Sequence, residues 1–437
     1  MIVTHNEKIR AKLKPQYRPK DVDDVLAFLH AHGTLRFSPL PTGLYPAAGL
    51  VPSAAVQSGY GNVWVRDNIF VALAHETAGQ HGKAVTTLQM LAAFYRRHRG
   101  RFEAILEGRA APSLPMNRPH VRFDGATLAE IPSRWSHAQN DALGYFLWLY
   151  CRLIRIGRIP PDPDLLAAFA LYFKEIQYWE DEDSGHWEER RKVEASSIGA
   201  VVAGLRELRM LLIQGKSSVC CFQGRSVSTD FLDRLIEVGA QALKEILPAE
   251  CVQPDPRKNR RYDAALLFLI YPLGVVEDVM GQRIVDDVLH HLQGEYGIRR
   301  YLGDAYWTAD YKDKVPAGER TVDVSERQEE RDALASPGAE AQWCIFDPII
   351  SVIAGHRYLR FGDSRDLDRQ IRHLNRSLGQ LTGPDCSKGE LLCPEAYYLE
   401  HGHYVPTDQV PLLWTQANLW LALLAMKESA VRSSQKR

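Results

Sequence analysis

The stretch ALGYFLWLYCRLI, residues 142–154, decides the fold class. Its apolar residues suit a helix, yet they cover most of the helix circumference instead of one stripe, which implies packing on two sides. A helix enclosed by a second layer of helices meets that requirement. LLAAFALYFKEIQYW (165–179) and NLWLALLAMKESAV (418–431) repeat the pattern, with apolar positions at i, i+3, i+4 and i+7. Further along the chain the same periodicity predicts helices over about 21–32, 68–81, 83–98, 138–153, 163–178, 195–214, 229–246, 262–271, 281–292, 341–360, 365–380 and 408–427. Strand alternation is sparse. About twelve helices in two concentric layers are the expectation.

Gly/Pro-rich and polar stretches at 39–62, 100–135, 179–194, 297–340 and 381–407 fall between every second helix or so. No single one marks a domain boundary, so they read as loops of one domain. Loops longer than about 12–15 residues in a compact protein are usually functional. These carry most of the Trp, Tyr and paired charges outside the helices, and they are expected to gather at one end of a helical barrel. The expected organisation is an N-terminal segment with the first helix over 1–39, the barrel over 40–428 and a flexible polar tail over 429–437.

The 437 residues are 45% hydrophobic and 24% charged, a composition that supports a large buried core. Lys+Arg 53 against Asp+Glu 54 leaves a formal net charge of -1 and no field to attract nucleic acid or an anionic membrane. A neutral substrate fits better. The start MIVTHNEKIRAKLKPQYRPK lacks the apolar core of a secretory signal, and no run approaches the roughly 18 apolar residues of a membrane span. A cytoplasmic location is the expectation. Seven cysteines, with Cys220 and Cys221 adjacent and the rest scattered, match neither a disulfide framework nor zinc-ligand spacing, and are expected to be reduced and mostly buried.

Chemistry concentrates in the loops. In GYGNVWVRDNIFVALAHETAG (59–79) a helix start needs only a cap, which Asp67 or Asn68 would supply; Trp64 and Arg66 exceed that need. YWEDEDSGHWEERRKVEASSIG (178–199) has the composition of a solvated charge run. Yet Trp179 and Trp187 are costly to leave in water, and Glu188 follows Trp187, where an apolar wall would raise a carboxyl pKa. In LLCPEAYYLEHGHYVPTDQVPLLWTQANL (391–419), Glu395 is either a capping acid or a carboxylate kept ionised among Tyr hydroxyls as a general base. In SRWSHAQNDALGYF (133–146), capping accounts for Asn140 or Asp141, and His137 reads as structural. YGIRRYLGDAYWTADY (296–311) offers Arg299, Arg300, Asp304, Tyr306 and Trp307. Aromatic faces beside Arg and Asp suit a sugar ring, whose CH-rich faces stack while its hydroxyls need fixed donors and acceptors.

VWVRDN, Trp135 followed by QNDALGYFLWLY, HWE, EASSIG, YDAALLFLIYPLG, GIRRYLGD, and LCPEAYY followed by VPLLWTQANL occur in the order seen in glucoamylase-type glycoside hydrolases of family 15. Over about residues 40 to 428 the chain most resembles the glucoamylase-like region of the phosphorylase kinase alpha and beta regulatory subunits and their bacterial relatives. The resemblance implies an all-α (α/α)6 barrel with Glu188 as general acid and Glu395 as general base. It implies that Arg66 and Asp67 grip the terminal sugar, that Tyr60, Trp64 and Trp135 form aromatic walls, and that Arg300 and Asp304 form a further sugar-binding pair. Asp141, Trp187 and Tyr397 complete the expected substrate-binding set. No cofactor or metal is implied.

The expected function is therefore inverting, exo-acting release of glucose from α-glucans or α-gluco-oligosaccharides, with the two carboxyls roughly 6.5–9.5 Å apart. The alternative is a non-catalytic glucan-binding regulatory protein, as the kinase-subunit resemblance allows. Retention of both glutamates favours the enzyme. No Gly-rich loop with a paired Lys, HRD or DFG marks a kinase. A disaccharide phosphorylase would need an anion site, and no Gly-rich phosphate cradle is evident. The charged stretch 309–340 has no counterpart in the resemblance. Gln342 stands where the kinase subunits tend to be acidic, which implies an altered outer pocket.

Overall fold

The computed structural model describes residues 2–49, 58–217 and 220–435, and in it helices alternate along the chain between an inner and an outer ring. The inner ring runs Val65–Thr77, Asn140–Arg155, Ala195–Ile213, the 3-10 helix Ala264–Leu269, Phe346–Phe361 and Leu413–Gln435. Each packs on the next, and the last returns to the first. Pro19–Ala31, His81–Arg97, Pro163–Glu175, Thr229–Ile246, Asp278–His291 and Ser364–Gly379 lie outside them. This is the (α/α)6 toroid that the resemblance implies.

Burial follows the layers. The inner helix Val65–Thr77 is buried without a break from Val65 to His75, and Asn140–Arg155 from Asn140 to Cys151. The outer helix Thr229–Ile246 buries one stripe, Leu232, Leu235, Gly239 and Leu243. Two inner helices touch backbone to backbone: a Cβ on Gly144 would lie 2.5 Å from the carbonyl carbon of Ala200, and one on Gly204 2.9 Å from the Gly144 carbonyl oxygen. Neither neighbour is a side chain that can swing away. Gly144→Ala is therefore expected to cost about 1–3 kcal/mol of stability, as overpacking does. A thermal melt checks this, and an unchanged melting temperature would contradict the close approach.

Four expectations are corrected. The helix expected over 262–271 is a six-residue 3-10 turn, opened by the Asp263 carboxylate accepting from the Ala265 amide. The helix expected from 341 starts at Phe346, because Gln342–Trp343 pairs instead as a strand with Ala396–Tyr397. The expected tail over 429–437 is helical as far as Gln435, with Ser429 and Ala430 buried; residues 436–437 lie outside the described ones. The segment 1–39 is not separate from the barrel, since Pro19–Ala31 is one of the six outer helices and packs on Leu413–Gln435.

All seven cysteines are free, five of them buried. Among the described residues no helix is long and apolar enough to cross a membrane. Two short three-stranded sheets, Val63–Trp64 with Arg122–Asp124 and Ala129–Glu130, and Gln342–Trp343 with Ala396–Glu400 and His403–Pro406, join the long loops around one cavity.

Candidate active site

The cavity, of about 90 Å³, is lined by Tyr60, Trp64, Arg66, Asp67, Trp135, Trp187, Glu188, Arg300 and Glu395 among the residues singled out from sequence. They arrive on five separate stretches of chain. Trp64 stands at the start of Val65–Thr77 and the helix has no side-chain cap there. The capping role offered to Asp67 or Asn68 is thus not the one the structure gives them. Asn68 instead clasps the backbone of Tyr45, accepting from its amide and donating to its carbonyl, both at 2.9 Å. Asp67 faces the cavity and hydrogen-bonds no other residue's side chain among those described.

Glu188 sits on a turn closed by reciprocal backbone bonds of 2.9 Å between Asp183 and Lys192. Gly185 in that turn has a φ of +52°, and a Cβ there would fall 1.5 Å from Glu194 Oε2, so only glycine fits. Glu188 itself adopts a φ of +59°, a left-handed conformation uncommon outside glycine. Its Oε1 accepts from Trp64 Nε1 at 2.8 Å and lies 3.6 Å from an Arg66 nitrogen. Across the cavity the Tyr60 hydroxyl donates to Glu395 Oε1 at 2.8 Å, and Tyr60 and Tyr306 share a hydroxyl contact of 3.2 Å. Glu395 Oε2 is buried and has no hydrogen-bond partner among the described residues. Trp64 and Trp135 meet edge to face, and the Arg122 guanidinium covers both, 4.8 and 3.8 Å from the ring centroids.

Burial governs the charges. It raises Glu188, against which Arg66 and the Trp64 N–H pull back. It raises Asp67 to about 7, opposed by Arg66 and reinforced by Glu188. Glu395 is raised to about 8 by burial, and the Tyr60 hydroxyl bond and the charge of Arg300 only partly offset this. The Tyr hydroxyl expected beside Glu395 is present and favours its ionised form, while desolvation works against that form. The carboxyls act on one another: the charge of Glu188 raises both Asp67 and Glu395, and that of Asp67 raises Glu395.

Three of the expected residues stand behind the wall. Asp141, fully buried, accepts from Arg66 at 2.5 Å and does not line the cavity. Gln139 and the His186 carbonyl, at 3.2 and 2.9 Å, take further N–H groups of the same guanidinium. Asp304 grips Arg300 through both oxygens, at 2.6 and 2.7 Å, and so holds it under Trp187 and Trp343. Tyr397 faces away: its hydroxyl donates to Gln380 O and its ring stacks on His5. Strand register explains this. Tyr397 pairs with Gln342, and both lie on the face opposite Trp343, which lines the cavity. Gln342 is likewise turned from the pocket, accepting from the amides of Tyr296 and Gly297, so the expected alteration there does not arise from it. His137 stacks on His120 and stays outside the cavity, as a structural residue does.

Sequence reasoning missed Trp343, Trp414, His186 and the contribution of Thr321, Val322, Asp323 and Arg331 to the wall. It also missed Glu189, which accepts from Arg260, Arg300 and the Tyr301 hydroxyl. Burial alone would raise Glu189, but Arg260, Arg300 and Lys192 hold it at about 2. It is a fixed anchor for Arg300.

Asp67→Asn is expected to leave the fold intact and to weaken binding of a monosaccharide. A lost charge-assisted bond costs about 1.5–3 kcal/mol, or roughly 10- to 150-fold in Kd. Arg66→Ala differs, because it strands Asp141 in the core at about 3–5 kcal/mol of stability. Titration calorimetry beside a thermal melt separates the two, and an Asp67 variant with unchanged affinity would remove Asp67 from the groups that contact ligand.

A family model described as "Glycosyl hydrolases family 15" matches residues 28–342. The probable phosphorylase b kinase regulatory subunit alpha of Caenorhabditis elegans is 26% identical over 400 residues, covering 82% of this chain and 30% of that subunit. The chain thus spans less than a third of that relative's length. A solved glycosidase variant in complex with glucose shares the fold with a TM-score of 0.61 at 18% identity, over 94% of this chain and 97% of that one. So does a bacterial glucoamylase complexed with acarbose, with a TM-score of 0.57 at 16% identity over 89% and 53%.

Proposed function

Because the chain belongs to the glycosyl hydrolases of family 15, we propose that it is an inverting, exo-acting hydrolase. It releases glucose from the non-reducing ends of α-glucans or α-gluco-oligosaccharides. The observation that carries this reading is that Glu188 and Glu395 line one cavity, each oriented by a single neutral donor, the Trp64 indole and the Tyr60 hydroxyl. Glu188 gives its proton to the glycosidic oxygen as the bond to the anomeric carbon breaks. Glu395 takes a proton from the water that attacks that carbon from the opposite face, and its unpartnered Oε2 is the acceptor available for it. Asp67 and Arg300 hold ring hydroxyls, and Trp64, Trp135 and Trp187 supply apolar faces.

One observation favours a second reading. With Glu395 raised to about 8, the free cavity at neutral pH presents a neutral carboxyl, which suits a ligand for sugar hydroxyls. The relative in Caenorhabditis elegans is a regulatory subunit by its name. A panel of α-1,4- and α-1,6-linked glucose oligomers, assayed for released glucose, tests the proposal. Glucose from at least one is the expected result; tight binding with no release from any would leave the regulatory reading in its place.

A further inference from the structure

A second cavity, of about 330 Å³, shares a wall with the first. Three pairs of chain neighbours divide between the two: Glu188, Arg300 and Arg331 line the first cavity, while Glu189, Tyr301 and Asp332 line the second. The second is cationic. Arg190, Lys192, Arg257, Arg260 and Arg261 line it against two acids, Glu189 and Asp332. The fold uses some of these charges. Lys192 pairs with Glu194 at 2.7 Å, Arg257 with Asp255 at 2.8 Å, and Arg260 with Glu189 and Asp263 at 2.9 and 3.1 Å. Glu189 is spent in turn on Arg260, Arg300 and the Tyr301 hydroxyl.

Two arginines remain available. Arg261 is exposed and makes no hydrogen bond or ion pair among the described residues; its guanidinium lies 5.6 Å from the centre of the Tyr262 ring. Arg190 meets Glu329 at 2.7 Å and Asp332 at 3.8 Å, but Glu329 is 61% exposed, and an ion pair with so solvated an acid is weak. Guanidinium forks match phosphate oxygens in pairs, so a phosphate dianion is the stronger partner for both arginines. On the short helix Gln328–Asp332, Gln328 donates to Asp332 at 3.0 Å. Its Oε1 is buried and has no hydrogen-bond partner among the described residues. A ligand hydroxyl would satisfy that acceptor.

We propose that the second cavity binds a phosphate monoester of a small polyol, with Arg190 and Arg261 holding the phosphate and Gln328 accepting from a hydroxyl. Its occupation weakens sugar binding in the first cavity. Gln328–Asp332 carries Arg331, which lies over the Tyr306 ring at 5.3 Å, and Glu329 tethers this helix to Arg190 and Arg257. An anion that takes Arg190 releases Glu329 and loosens the shared wall. By linkage, sugar weakens the anion by the same factor.

Glycerol 3-phosphate is the probe, because it carries a phosphate and hydroxyls but no ring to fill the first cavity. Titration calorimetry of the native protein in about 0.15 M salt, which screens nonspecific attraction, is expected to show one site. Glycerol 3-phosphate should bind more tightly than inorganic phosphate, and glycerol not at all. Arg190→Ala and Arg261→Ala should each lower that affinity by about tenfold or more, the loss of one charge-assisted bond, with ligand-free thermal melts near native. No binding, equal affinity for inorganic phosphate, or affinity unchanged in both variants would overturn the site. Saturating glycerol 3-phosphate should lower the affinity for maltose several-fold; an unchanged maltose affinity would overturn the regulation. If no sugar binds, the reading of the first cavity fails and the regulation with it, while the anion titration still decides the site.

Discussion

Glu188→Gln is expected to lower kcat on α-gluco-oligosaccharides by at least about 10²-fold, the lower end of what a positioned acid contributes. A sugar alkoxide is a poor leaving group, so the reaction depends on a proton reaching the glycosidic oxygen as the bond breaks. An amide cannot supply it. The substitution is nearly isosteric and keeps an oxygen for the Trp64 N–H, so the turn bearing residue 188 should hold its shape. It also removes a carboxylate 3.6 Å from Arg66, whose main partner Asp141 remains at 2.5 Å. Stability and glucan affinity should therefore stay near those of the native protein. Steady-state kinetics with a thermal melt and a binding titration check this. A variant that retains its kcat would remove Glu188 from the chemistry.

Glu395→Gln is expected to cost at least as much and, in addition, to change the pH profile. As a base Glu395 works ionised, and burial sets its pKa at about 8 in the free cavity. Below that pH the proton is bound, so the native kcat/KM should fall by about tenfold per pH unit as the solution becomes more acidic. Glu188 must stay protonated, and its own upward shift delays the loss of rate on the alkaline side. The competent form carries the charge on Glu395 and the proton on Glu188. Arg66 and the Trp64 indole pull Glu188 toward its ionised form, against the burial that raises it. Glutamine has no proton to lose. Its residual rate should therefore be flat where the native acidic limb lies. A limb that persists unchanged in the variant would assign it to another group, with Asp67, raised to about 7, the first to examine.

Much of the fold was legible because the two rings impose different patterns. The all-round apolar content of 142–154 belongs to an inner helix buried from Asn140 to Cys151, whereas outer helices such as Thr229–Ile246 show one stripe. Periodicity misjudged the chain where tertiary pairing competes with it. Gln342–Trp343 continues an apolar run that reads as helix, but it finds strand partners at Ala396–Tyr397 more than fifty residues away. The site divides along a similar line. Residues beside a local signal, Trp64, Arg66 and Asp67, Trp187 with Glu188, and Glu395, all line the cavity. Which face a strand residue takes depends on register, so Tyr397 was taken for a cavity residue while Trp343 was overlooked. Whether a charged group meets ligand or a neighbour depends on contacts across the barrel: Asp141 and Asp304 are consumed by Arg66 and Arg300. Thr321, Val322, Asp323 and Arg331 line the cavity from a charged stretch that carries no motif to mark them.

The configuration of the first glucose released tests the central claim most directly. If Glu188 protonates the leaving oxygen while Glu395 directs water to the opposite face, an α-glucoside yields β-glucose in a single displacement. Proton NMR started within seconds of mixing native protein with maltotriose, or with an isomaltose-type oligomer if that is the better substrate, distinguishes the anomers before they equilibrate. The account predicts the β-anomer first, followed by slow appearance of the α-anomer. α-Glucose appearing first would contradict it.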